Sequence, residues 1–89
     1  MKTYRQLERV VKGFANHRRI EILTLLEKTP ELSVFEIAEK LKINFKTASD
    51  HIRRLAIAGL VIKRSEGNNV RHALTSTGKT ILKFLRILE

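Results

Sequence analysis

Lys46, Thr47, Ser49, Asp50, Arg53 and Arg54 lie within a single stretch of the chain. Read as a helix at about 100° per residue, residues 44–58 place Lys46, Thr47, Asp50, Arg53, Arg54 and Ile57 on one side, with Ser49 at its border. Phe45, Ala48, Ile52, Leu55 and Ala56 take the other side and are expected to face a core. A helix fits the major groove of DNA, where Lys, Arg, Ser, Thr and Asp side chains can all reach base edges. Asp50 is the odd member, because a carboxylate near phosphate is unfavourable. It could accept from a cytosine amino group, but it is expected instead to orient Arg53 or Arg54, its neighbours at i+3 and i+4. A second set follows. Lys63, Arg64 and Arg71 flank a small polar tip of Gly67, Asn68 and Asn69. Cations at the base and a flexible polar tip suit a phosphate or minor-groove contact, with Asn68 and Asn69 included in it. The plainer reading is a hairpin turn in which these residues supply positive φ.

These side chains need elements to hold them. Leu7, Val10, Val11, Phe14 and Ala15 recur at helical spacing, which predicts a first helix over residues 3–15, weakened at its end by Gly13. Asn16 is a good cap for a second helix with Ile20 and Leu23 on its buried side, ending before Pro30. Ser33 and Glu36 form a capping box, with Leu32 and Ile37 at the staple positions, so a short third helix runs over residues 34–41. After a turn of about three residues, Asn44 caps the fourth helix, and Gly59 ends it. Residues 60–64 and 70–74 read as two strands joined by turn chemistry at 65–69. Thr75 or Ser76 caps a last helix reaching Leu88. The order α-α-α-α-β-β-α is a mainly helical fold with a small hairpin, a winged helix-turn-helix, forming one domain over residues 1–89.

Composition narrows the chemistry. The 89 residues carry 18 Lys and Arg against 9 Asp and Glu, a net charge of +9. Residues 1–43 have a net charge of +3 (nine basic, six acidic) and residues 44–89 of +6 (nine basic, three acidic), so the excess sits with the candidate groove-facing elements. A polyanion is the expected partner, with nucleic acid ahead of a membrane surface. There is no cysteine, which excludes disulfides, a Cys-ligated zinc and a thiol nucleophile. No apolar run is long enough to cross a bilayer, and the first residues have no apolar signal-like stretch, so a cytoplasmic location is expected. No paired carboxylates, Ser-His-Asp set or Gly-rich phosphate loop is present, and no enzyme or cofactor is expected. His17, His51 and His72 are scattered over three elements, so no metal site is expected.

The last helix carries Ile81, Leu82, Phe84, Leu85, Ile87 and Leu88 over roughly 220° of its circumference, more than the ~100° that one core uses. The surplus needs a cover. A homodimer interface of Leu7, Val11 and Phe14 with Ile81, Phe84, Leu85 and Leu88 is therefore expected, the alternative being that the first helix of the same chain covers the last.

Residues 14–23, 31–38, 47–55 and 58–61, with the wing residues Arg64, Ser65, Glu66 and Gly67, resemble in order the segments of ArsR-type repressors. Residues 74–79 are more similar to the exit from the wing in MarR- and PadR-type regulators. The resemblance implies a homodimer joined through its first and last helices that binds an operator and represses transcription, and a two-fold dimer on double-stranded DNA is expected to take an inverted-repeat operator. There are departures. Metal-sensing members carry cysteines in the third helix, where this chain has Ser33 and Phe35, and others use His and carboxylates on the last helix, which here has only Glu89. Asp50 stands where the family often has histidine. No small-molecule effector is named by these residues. The rival reading is a winged-helix module that docks a protein or RNA through the same surface. Retention of Lys46, Arg53 and Arg54 favours DNA.

Overall fold

In the computed structural model, which describes residues 1–89, Thr3 opens the first helix, α1 (Tyr4–Phe14), through a capping box with Gln6. The Asn16 side chain accepts from the amides of Arg18 and Arg19 and starts α2 (His17–Lys28) almost without a linker. Ser33 and Glu36 close the expected box at the head of α3 (Val34–Leu41), the Ser33 hydroxyl accepting from the Glu36 amide and the Glu36 carboxylate from the Ser33 amide. The bond from the Ser33 amide is the main cause that holds the Glu36 carboxyl below its usual range, and the Ser33 hydroxyl beside it adds to the effect. At the other end Lys42 takes a left-handed conformation (φ 56°, ψ 46°). The turn closes as the Ile43 amide donates to the Ala38 carbonyl (3.0 Å). Asn44 then caps α4 (Phe45–Ile57), accepting from the Lys46 and Thr47 amides.

Gly59 leaves α4 at φ +79° and turns the chain into β1 (Val61–Glu66), which pairs antiparallel with β2 (Asn69–Leu74). The loop between them is two residues, Gly67 and Asn68, with positive φ at the glycine alone. The expected five-residue turn is therefore shorter. Ser65, Glu66 and Asn69 are in the strands, because a glycine at the first central position completes a two-residue turn matched to strand twist. Leu32 adds a single bridge to His72, so the linker before α3 lies along the free edge of β2. Last comes α5 (Ser76–Ile87). Its N-cap Thr75 accepts from the Gly78 amide and donates to the Gly59 carbonyl, tying the start of α5 to the exit of α4.

One core unites these elements. Ile22, Leu23, Leu26, Ile37, Ile52, Leu55 and Leu60 are its fully buried side chains, with Leu82 joining from α5. Both α1 and α5 pack on α2, and α3 packs on α4. His72 is also buried, 1% exposed, with Nδ1 2.8 Å from the Leu32 carbonyl oxygen. That geometry places its proton on Nδ1 and satisfies a polar group the core could not otherwise tolerate.

Two expectations about burial are corrected. Phe45 was assigned to the core face of α4 but is 56% exposed, and Ala56 is only half-buried. A helical wheel gives direction around the axis and not how far along it the core extends. Phe45 is the first residue of α4, ahead of the buried Ala48, Ile52 and Leu55. Phe14 was assigned to a dimer face but is 8% exposed and belongs to the core, while Ile81 and Leu85 are half-buried against it. The cause is at the neighbouring Gly13. A Cβ there would stand 2.3 Å from the Ala58 Cβ, so the end of α1 is pressed onto α4 and Phe14 is carried inward.

Candidate nucleic-acid interface

Helix α4 presents Lys46, Thr47, Ser49, Arg53 and Arg54 as exposed side chains, with Asp50 half-buried among them. Asp50 bridges both arginines. Its carboxylate accepts from an Arg53 terminal nitrogen at 2.6 Å and from Arg54 Nε at 3.1 Å. The Arg53 hydrogen bond is the larger of the two causes that hold the Asp50 carboxyl below its usual range, and Arg54 follows. Each guanidinium has five N–H donors, so one bond to Asp50 leaves the rest free. The pairs are too exposed to hold the fold together, and their consequence is orientation. Lys46 and Thr47 sit in the first turn, their amides already used by the Asn44 cap, with side chains left for a ligand.

The hairpin divides its cations between two faces. Cross-strand partners share a face, and the register pairs Arg64 with Arg71 and Lys63 with His72. Arg64 and Arg71 therefore lie together, opposite Lys63. Both meet carboxylates, Arg64 with Glu31 at 2.8 Å and Arg71 with Glu66 at 3.6 Å. Sequence reasoning treated Lys63, Arg64 and Arg71 as equivalent, which strand alternation and Glu31, 33 residues away in sequence, show they are not. Lys63 is exposed and has no carboxylate partner. Asn68 occupies the turn and Asn69 the first position of β2, both exposed.

One feature was missed. Arg9 and Lys12 of α1 lie beside Arg53 and Arg54 around a cleft of about 270 Å³. Nothing local in α1 indicates this, and the only hint was Gly13, read there as a mere weakness. His51, expected from its place at the edge of the core face of α4 to be packed or to contact phosphate, is half-buried. Its Nδ1 is enclosed without a hydrogen-bond partner. Burial pushes the imidazole pKa down, Arg19 adds to that, and Asp50 only partly opposes it. No three His, Asp or Glu side chains converge anywhere in the chain. No helix is long and apolar enough to cross a membrane.

Comparison with known proteins agrees with this geometry. Residues 16–63 match the bacterial regulatory protein, arsR family. The transcriptional activator HlyU of Vibrio cholerae serotype O1 is 38% identical over 68 residues, which is 76% of this chain and 62% of that protein. An uncharacterised HTH-type transcriptional regulator of Methanocaldococcus jannaschii is 31% identical over 86 residues, 96% of this chain and 97% of its own length. Among solved structures, the homodimeric winged helix-turn-helix DNA-binding domain of a Mycobacterium bovis protein superposes with a TM-score of 0.84 at 32% identity, over 93% of this chain and 77% of that one. The chain thus spans just under two thirds of the length of HlyU. The match over residues 16–63 takes in α2, the capped α3, the turn, α4 with its exposed face and the start of the first wing strand, and the chain belongs to the ArsR family of bacterial transcriptional regulators, with their winged helix-turn-helix DNA-binding fold.

Proposed function

We propose that the protein is a sequence-specific repressor that binds an inverted-repeat operator on double-stranded DNA as a homodimer. Residues 1–89 form one DNA-binding domain whose first and last helices make the dimer. The observation that carries this reading is the exposed face of α4, where Asp50 aims two arginines next to Lys46, Thr47 and Ser49. Thr47 and Ser49 read base edges from the N-terminal half of the helix, which enters the groove. Lys46, Arg53 and Arg54 hold phosphates or bases, and Lys63, Arg64, Asn68, Asn69 and Arg71 hold the backbone or minor groove through the wing. The homodimeric state of the M. bovis domain supports self-association.

The protein acts without a bound metal or cofactor and without catalysis, in the cytoplasm. The similar HlyU is named an activator, so the direction of control is tested directly. Transcription in vitro from a promoter carrying the selected operator should fall as protein is added.

Binding to duplex DNA across a salt series tests the central reading. A dimer that neutralises about 6–10 phosphates gives a slope of log K against log salt of about −5 to −9. Arg53→Ala should weaken binding without unfolding the protein. A slope near −1 on duplex, or tighter binding to single-stranded RNA than to duplex, would replace this reading with an interaction module for another partner.

A further inference from the structure

We infer that the cleft between α1 and α4 holds a backbone phosphate of the DNA, so that α1 extends the DNA-contacting surface beyond the recognition helix and the wing. This rests on the DNA-binding reading above and adds a site to it. Four cations converge on the cleft, Arg9 and Lys12 from α1 and Arg53 and Arg54 from α4. Their carboxylate partners are few. Asp50 serves both α4 arginines, Glu8 serves Lys12 at 3.2 Å, and Arg9 has none. Two carboxylates against four cations leave a local charge of about +2 around the cleft, a repulsion that an anion relieves.

The convergence is built by backbone packing. Gly13 meets Ala58 so closely that any side chain at 13 would overlap it. The last turn of α1 is thereby held against the last turns of α4, with Arg9 and Lys12 one turn or less from the contact. Ile57, 73% exposed, lines the same cleft. An apolar side chain beside four cations suits a phosphodiester, whose deoxyribose offers an apolar flank next to the charge. Arg53 and Arg54 belong to both the cleft and the exposed α4 face. A duplex engaged by that face therefore brings its backbone near α1.

The test compares two double variants that each remove two positive charges. Arg9→Gln with Lys12→Gln alters the cleft, and Lys28→Gln with Lys83→Gln alters exposed cations outside it. Loss of one phosphate contact per subunit makes the salt slope of a dimer shallower by about 2. The cleft variant should show that change, weaken all sequences of a binding-site library alike, and keep the wild-type sequence preference. If the cleft variant behaves as the control variant does, the site is refuted. If wild type itself lacks a steep slope on duplex DNA, the DNA-binding reading fails instead, so the two failures are separable. In a further arm, wild type is titrated with inorganic phosphate at constant ionic strength while the Gly13 and Ile57 amide resonances are followed. Saturable shifts, combined with a wild-type DNA slope in the cleft variant, would assign the cleft to a free anion and overturn the phosphodiester.

Discussion

At the scale of single residues, the proposed reading and holding roles are separable by experiment. Thr47 and Ser49 are short, exposed and on the N-terminal half of α4. Changing either should shift sequence preference by about 1–3 kcal/mol at one or two base pairs. Lys63→Ala should weaken every sequence by the same factor, because a phosphate contact carries no base information. Binding profiles across a site library check this, and identical responses of the two classes would mean that the roles are misassigned. His51 supports a second prediction, on pH. Its folded pKa lies below the ordinary value because burial and Arg19 disfavour the charged imidazole, with Arg54 and His17 adding to the effect and Asp50 opposing it. As pH falls through the ordinary histidine range, the unfolded chain takes up this proton before the folded one does. Stability from His51 is thus full above that range and is lost as pH drops through it. Urea denaturation of wild type and His51→Gln between about pH 7.5 and 5.5 should show a smaller loss of stability in the variant. Parallel losses would show that His51 is not responsible.

At the scale of elements, close backbone approaches decide more than side-chain bulk. The Gly13 contact with Ala58 sets the distance between α1 and α4. Gly78 does the same for α5, where a Cβ would stand 2.3 Å from the Leu60 carbonyl oxygen. Gly13→Ala should cost about 1–3 kcal/mol, as other overpacked substitutions do. Pairing it with Ala58→Gly removes the colliding methyl and should restore part of that loss. A double-mutant cycle by chemical denaturation measures the coupling, and additive effects would mean the two helices move apart freely. Gly78→Ala has no such remedy, because the atom it meets is backbone, and it should be the more destabilising of the two changes.

At the scale of the whole molecule, the question is what covers the apolar surface left by one core. Helix α1 does not cover α5 within the chain: Phe84, Ile87 and Leu88 remain 48%, 79% and 66% exposed. Tyr4, Leu7 and Val11 of α1 are exposed as well. The proposed dimer interface thus keeps Leu7, Val11, Phe84 and Leu88 and loses Phe14 to the core. Ile81 and Leu85, being half-buried, make poor probes, because changing them disturbs the fold too. Sedimentation of Phe84→Glu and Leu88→Glu should give folded monomers at concentrations where wild type is dimeric. Wild type that sediments as a monomer at micromolar concentration, or variants that stay dimeric, would remove this interface. A two-fold dimer places its recognition helices about 34 Å, or one DNA turn, apart or a multiple of that, so each variant should also lose its preference for inverted repeats over single half-sites.

Local signals in the chain were enough for the elements and for most of the α4 face. Thr75, Asn16, Ser33 with Glu36, and Asn44 each announce a helix start, because a capping bond is made within three residues. Helical periodicity placed Lys46, Thr47, Arg53 and Arg54 outward with Ser49 at the border, and spacing favoured Asp50 orienting Arg53 or Arg54, where the structure has it bonded to both. What tertiary structure decided involves partners distant in sequence or the extent of the core along an element. Arg64 meets Glu31, His72 meets Leu32, and Arg9 joins Arg53 only when the chain has folded back on itself. Phe14 and Phe45 changed sides for the same reason. Periodicity reports the direction in which a side chain leaves its helix, whereas burial depends on where other helices end, and that is set by the close contacts at Gly13 and Gly78.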